Sequence, residues 1–73
     1  MPHIVIKMYP GRTDEQKAQL VKKVTSAVME SVNVEEKSVS ISIEEVKKED
    51  WGRLVYQPDI TGRPDILVKK PGH

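Results

Sequence analysis

The sequence predicts an α/β fold: one βαβ unit with parallel strands and a single long helix, followed by short C-terminal elements and completed by association with further copies. Three observations carry this reading. The chain opens on a stretch of alternating apolar residues, continues with apolar residues at 3–4 spacing, and then alternates again. Only 73 residues hold all of this, so one domain spans positions 1–73.

From Pro2 to Tyr9, Ile4, Ile6 and Met8 fall on one face and His3, Val5, Lys7 and Tyr9 on the other. Period two with β-branched residues is the pattern of a strand. Pro10-Gly11 ends it, because Pro has no N–H for a ladder and Gly permits a sharp turn. Thr13 then suits a helix N-cap, with Gln16 three residues on as a capping box requires. Asp14 and Glu15 stand in the first turn, where carboxylates favour the helix dipole. Leu20, Val21, Val24, Ala27, Val28 and Val32 form the apolar stripe, opposite Lys22, Lys23, Ser26 and Glu30. The spacing predicts a helix over 14–32, about 28 Å long, stopped by Asn33. After a polar link, Ser38 to Val46 alternates again: Val39, Ile41 and Ile43 on one face, Ser38, Ser40 and Ser42 on the other. Strand, helix and strand with short links call for parallel strands and a right-handed crossover. Beyond Lys47, a turn of helix is expected at Glu49–Leu54 and a short extended piece at Ile66–Val68. Pro58, Gly62, Pro64, Pro71 and Gly72 are expected to break anything longer.

Composition supplies the reason for association. A core this small rarely yields more than about 3–5 kcal/mol, and one helix covers only one face of a two-stranded sheet. The usual remedies are missing. There is no cysteine for disulfides or a thiolate zinc site, and the two histidines, His3 and His73, stand at opposite ends of the chain, so no metal is expected. A homo-oligomer remains. Twelve basic against eleven acidic residues leave a net charge of +1, without the footprint of a nucleic-acid binder. No apolar run approaches the roughly 20 residues of a membrane span, and the start lacks a signal-peptide pattern. A cytoplasmic protein is expected.

The candidate for chemistry stands at the first residues, although a proline at position 2 more often simply starts a chain. Pro2 is a small residue after Met1, so removal of Met1 is expected, leaving an amino-terminal proline with a free ring nitrogen. Burial and a nearby cation both lower the pKa of such an amine, and a base poised near neutrality is what proton transfer at carbon needs. Around it, P-H-I-V-I-K-M-Y-P-G-R-T-D-E-Q-K, then S-V-S-I-S-I-E-E-V and D-W-G, resemble the 4-oxalocrotonate tautomerase family over most of the first 52 residues. The ending L-V-K-K-P-G-H is similar to that of the PptA-type bacterial subgroup, a likeness that favours a dimer, with a hexamer also open, because the longer tail can block the surfaces that join dimers.

The resemblance implies a tautomerase-like fold and a cofactor-independent isomerase that interconverts enol and keto forms of 2-oxo acids. It implies Pro2 as the catalytic base, Arg12 as the group that binds the substrate carboxylate and Trp51 as an apolar wall. Ser40 departs from the pattern, since the family often carries an arginine there that polarises the 2-oxo group. A hydroxyl brings one hydrogen bond and no charge, which disfavours dicarboxylate dienols such as 2-hydroxymuconate. The likeness to the PptA-type subgroup implies an aryl enol pyruvate such as phenylenolpyruvate, whose single carboxylate Arg12 can anchor. Lys7, Arg53 and Arg63 are the candidates to replace the missing cation, from the same or a neighbouring subunit. Tyr9 and Tyr56 can offer hydroxyls to a pocket, and His3 reads as structural or exposed. Glu44 and Glu45 face opposite ways on a strand and cannot act jointly. Two rival readings stand beside this one. In the first, the same fold serves a decarboxylase or hydratase-type dehalogenase with protonated Pro2 as general acid. In the second, the chain is a non-catalytic oligomeric interaction module.

Overall fold

A computed structural model describes residues 1–72; His73 lies outside the described residues. Strand β1 (His3–Met8) leads into helix α1 (Asp14–Val32), a short 3-10 turn (Glu36–Ser38), strand β2 (Ser40–Glu45) and helix α2 (Lys48–Trp51). The strands run parallel, with His3 opposite Ser40 and Met8 opposite Glu45. The βαβ unit is therefore present, and each strand is shorter than its alternating pattern. Ser38 is drawn into the 3-10 turn by a bond from its N–H to Glu35 O at 3.0 Å.

Helix α1 begins and ends where the sequence predicts. Thr13 is extended and its hydroxyl accepts from Gln16 N–H at 3.0 Å, while Gln16 Oε1 accepts from Thr13 N–H at 2.8 Å, a complete capping box. Asn33 closes the helix in the left-handed conformation (φ 58°), which asparagine tolerates better than other side-chain-bearing residues. Leu20, Val21, Val24 and Val28 are half-buried, joined by Thr25 and Met29. Ala27 and Val32 depart from the expected stripe: both are exposed, Val32 by 58%. Lys17 reaches Glu45 at 3.3 Å, and Leu20 shares a cavity with Met8, so α1 lies over the Ile4, Ile6 and Met8 side of the sheet.

The C-terminal third differs from expectation. The chain does not stop at Leu54; it stays helical past α2 as a π-helical segment, Gly52–Thr61, with Pro58 inside it. Proline's φ suits a helix, and what it forfeits is one N–H bond and room for the carbonyl four residues back. In a helix wound to i→i+5 that carbonyl is no longer in line, so Pro58 is accommodated. The winding is visible at the end, where Gly62 N–H donates to Gln57 O at 2.7 Å. Only glycine fits there: a Cβ on Gly62 would stand 2.4 Å from that same oxygen. The extended piece expected at Ile66–Val68 is absent, with Ile66 in a turn and Leu67–Val68 irregular.

This segment reaches the sheet face opposite α1, where Val5, Lys7, Val55, Pro58 and Asp59 border one cavity. The cover is partial. His3, Ser40 and Ser42 stay exposed, and among the described residues only Val46 and Val55 are buried, at 5% and 4% exposure. Complete burial of such a side chain is worth about 1.5–3 kcal/mol, so two of them make a thin core. The accessible surface is 6000 Å², against about 4,600 Å² for a compact monomer of this mass. The Cα radius of gyration is 13.7 Å, where about 11 Å is usual for this length. No helix among the described residues is long and apolar enough to cross a membrane.

Candidate active site

The residues singled out by sequence fall into two groups at opposite ends of β1. Pro2, half-buried, precedes the first residue of the strand, and its carbonyl accepts from Ser40 N–H at 3.2 Å. Ser40 Oγ is hydrogen-bonded to His3 Nδ1 at 2.7 Å. His3 is thus exposed and tied to the very position where a serine stands in place of an arginine. Met1 precedes Pro2 and is fully exposed, so the Pro2 nitrogen becomes an amine only once Met1 is removed.

Arg12 and Trp51 stand at the far end. Arg12 lies between β1 and α1 and borders a cavity with Met8, Gln16, Lys17 and Leu20. Trp51 packs edge-on against Tyr9, ring centroids 4.9 Å apart with planes at 78°, an arrangement favoured by the ring quadrupoles. Beside it opens an apolar pocket of about 440 Å³ bordered by Lys7, Met8, Tyr9, Trp51, Tyr56, Ile60 and Pro71. The chain has one Trp, two Tyr and no Phe, so its tryptophan and both tyrosines are gathered here. Met8 borders both cavities, making the Arg12 cleft and the aromatic pocket neighbours.

At about 3.3 Å per residue, the six steps from Pro2 to Met8 span about 20 Å. A single chain therefore does not bring Pro2 to Arg12 and Trp51. Electrostatics sorts the cations further. Arg53 is paired with Asp50 at 3.3 Å, and Arg63 holds Asp65 with two bonds at 3.2 and 3.1 Å. That fork keeps the Asp65 carboxyl below its usual range. Lys7 is bound by Asp59 at 2.5 Å, and this hydrogen bond raises its pKa above the ordinary lysine value of 10.5. Among the described residues Arg12 is the arginine without an ion pair, the state suited to receiving a carboxylate. Glu44 and Glu45 do part company: Glu45 meets Lys17 on the helix side, while Glu44 stands opposite Lys7 in the register.

Sequence reasoning missed Met8, Asp59, Ile60 and Pro71 as pocket residues. Lys7 and Asp59 are 52 positions apart, and no local pattern announces their meeting. The only available signal was the rarity of aromatic residues, which makes their convergence informative once the fold is known.

Comparison with known proteins gives this geometry a family. Residues 2–55 match the family model described as "Tautomerase enzyme". The chain is 36% identical over 74 residues to Tautomerase PptA of Escherichia coli O127:H6, covering all of this chain and 97% of that protein. It is 34% identical over 73 residues to a probable tautomerase of Xylella fastidiosa, covering all of this chain and 89% of that protein. Among solved structures it is similar to YwhB, a homologue of 4-oxalocrotonate tautomerase, with a TM-score of 0.63 and 49% identity over 64% of this chain and 77% of that one. The chain belongs to the tautomerase family, and it is an enzyme of the isomerase type.

Proposed function

We propose that the protein is a cofactor-independent, cytoplasmic tautomerase of 2-oxo acids, in which Pro2, freed by removal of Met1, is the general base. Its site is completed by two copies: Pro2 and Ser40 come from one, Arg12 and Trp51 from the other. The observation that carries this reading is the separation along β1. A site needing both groups has to draw them from different chains, because about 20 Å exceeds the reach of an arginine side chain. The open edge of β1 offers the means. Two β1 strands running antiparallel about a two-fold axis bring the Pro2 end of each to the Met8 end of its partner. The large accessible surface supports such pairing, with a dimer as the simplest closed form.

The chemistry follows from the groups. The neutral Pro2 nitrogen takes the enol hydroxyl proton, directly or by relay, and delivers a proton to the adjacent carbon. The O–H bond breaks and C–O becomes C=O, while the C=C electron pair forms the new C–H bond and leaves a C–C single bond, so Pro2 ends neutral again. Arg12 grips the carboxylate with two parallel N–H bonds. Trp51 excludes water, and the cation and the apolar wall both favour the uncharged amine. Ser40 contributes at most one hydrogen bond to the 2-oxygen. The gathered rings of Tyr9, Trp51 and Tyr56 suit an aryl substrate, with phenylenolpyruvate as the test compound.

The test is to follow loss of the enol absorbance of phenylenolpyruvate. Intact mass should lack one methionine, and kcat/KM should rise with pH through the pKa of Pro2, as a base requires. A rate falling through that pKa would assign Pro2 as a general acid instead. Unchanged ketonisation by Pro2→Ala would overturn the enzymatic role of Pro2.

A further inference from the structure

The aromatic pocket holds one charged group, Lys7, and that charge is not free. Its Nζ is bound to Asp59 at 2.5 Å, and Glu44 stands beside it in the strand register. One cation between two carboxylates carries a net charge of −1. Asp59 lies beyond Val55, where the match to the family model ends, and comes from the helical segment that closes over this side of the sheet. The side chains of Lys7 and Asp59 are 28% and 42% exposed, within reach of a ligand and partly shielded from water.

We infer that Asp59 is a specificity-determining residue: by occupying Lys7 it makes the aromatic pocket accept an uncharged aryl group and reject a second carboxylate. This rests on the tautomerase reading for its meaning in turnover, while the binding preference stands on the pocket alone. With Asp59 in place, an anion entering beside Lys7 meets a site already neutralised and then made negative by Glu44. Leaving a carboxylate there without a partner is costly. With Asp59 made neutral, Lys7 Nζ regains an open donor and its charge, balanced now by Glu44 alone. Among the described residues Arg12 is the arginine without an ion pair, and it borders the neighbouring cleft, where the proposed site places the first carboxylate. The selector therefore acts on the far end of the substrate.

Trp51, the only tryptophan, borders the pocket and reports occupancy by its fluorescence. The full chain is titrated with cinnamate, an aryl monocarboxylate, and with trans,trans-muconate, a dicarboxylate. The parent protein should bind cinnamate more tightly. Asp59→Asn should tighten muconate about tenfold, the size of one charge-assisted hydrogen bond, with cinnamate changed less than about threefold. Lys7→Met/Asp59→Asn should lose that gain. A muconate-to-cinnamate ratio in Asp59→Asn within about twofold of the parent would overturn the proposal, as would a gain that persists without Lys7. Should Asp59→Asn lower the melting temperature or dissociate the oligomer, Asp59→Ser gives the same comparison. Because binding is read without turnover, an inactive parent would count against the base role of Pro2 and leave this result standing or falling on its own ratio.

Discussion

The two ends of β1 are built from different materials. At the Pro2 end the groups are small, polar and exposed: a carbonyl taking the Ser40 N–H, and a histidine tied to a serine. At the Met8 end lie an arginine with no ion pair among the described residues, the tryptophan and both tyrosines, and a partly exposed ion pair. One end can supply a proton acceptor and little binding energy; the other can supply binding energy and no base. The difference teaches that the candidate groups are split along one strand, which is why the proposed site draws on two copies.

That contrast orders the expected effects. Pro2→Ala should lower kcat/KM by about 10²–10⁴, the usual contribution of a general base, while the oligomer measured by sedimentation stays intact. Arg12→Gln acts at the other end. It should raise KM by about 10–100-fold, as loss of a charged hydrogen-bond pair does, with a smaller change in kcat. A mainly kcat-directed loss there would blur the distinction between the ends. Val55→Ala, in the segment that carries the aromatic pocket, should cost about 1–3 kcal/mol in urea unfolding and loosen cinnamate binding without touching the Pro2 end. Thr13→Ala removes the cap beside Arg12 and should cost about 1 kcal/mol. The smallest effect concerns Lys7. Its pKa is raised in the folded state by the hydrogen bond to Asp59, so its stabilising contribution is complete below pH 10.5 and is lost as pH rises above that value. Thermal melts of the parent should fall off in that range more steeply than those of Lys7→Met.

The βαβ half was legible because its signals are local. Thr13 with Gln16, the 3–4 stripe and Asn33 mark α1 by chemistry lying within a turn of each boundary. The C-terminal half was misread for the same reason. Pro58 and Gly62 are breakers by local rule, yet the helix widens to pass the first and uses the second as its stop. Of the candidate site, the sequence indicated Pro2, Arg12, Ser40 and Trp51 through resemblance. The strand pattern over 2–9 already separates Pro2 from Arg12; that Trp51 turns back to meet Tyr9 at the Arg12 end is tertiary and has no local signal. Asp59 meeting Lys7 is wholly tertiary.

The account turns on whether two copies share one site, and mixing inactive chains tests this directly. Pro2→Ala and Arg12→Gln are each expected to be nearly inactive at low substrate. Unfolded together and refolded as an equimolar mixture, they should form hybrid dimers in which Pro2 of one chain meets Arg12 of the other. Random pairing then restores about one quarter of the parent activity, since half the dimers are hybrids with one intact site each. Activity no greater than the sum of the two variants, in a mixture shown by native mass spectrometry to contain hybrids, would contradict it.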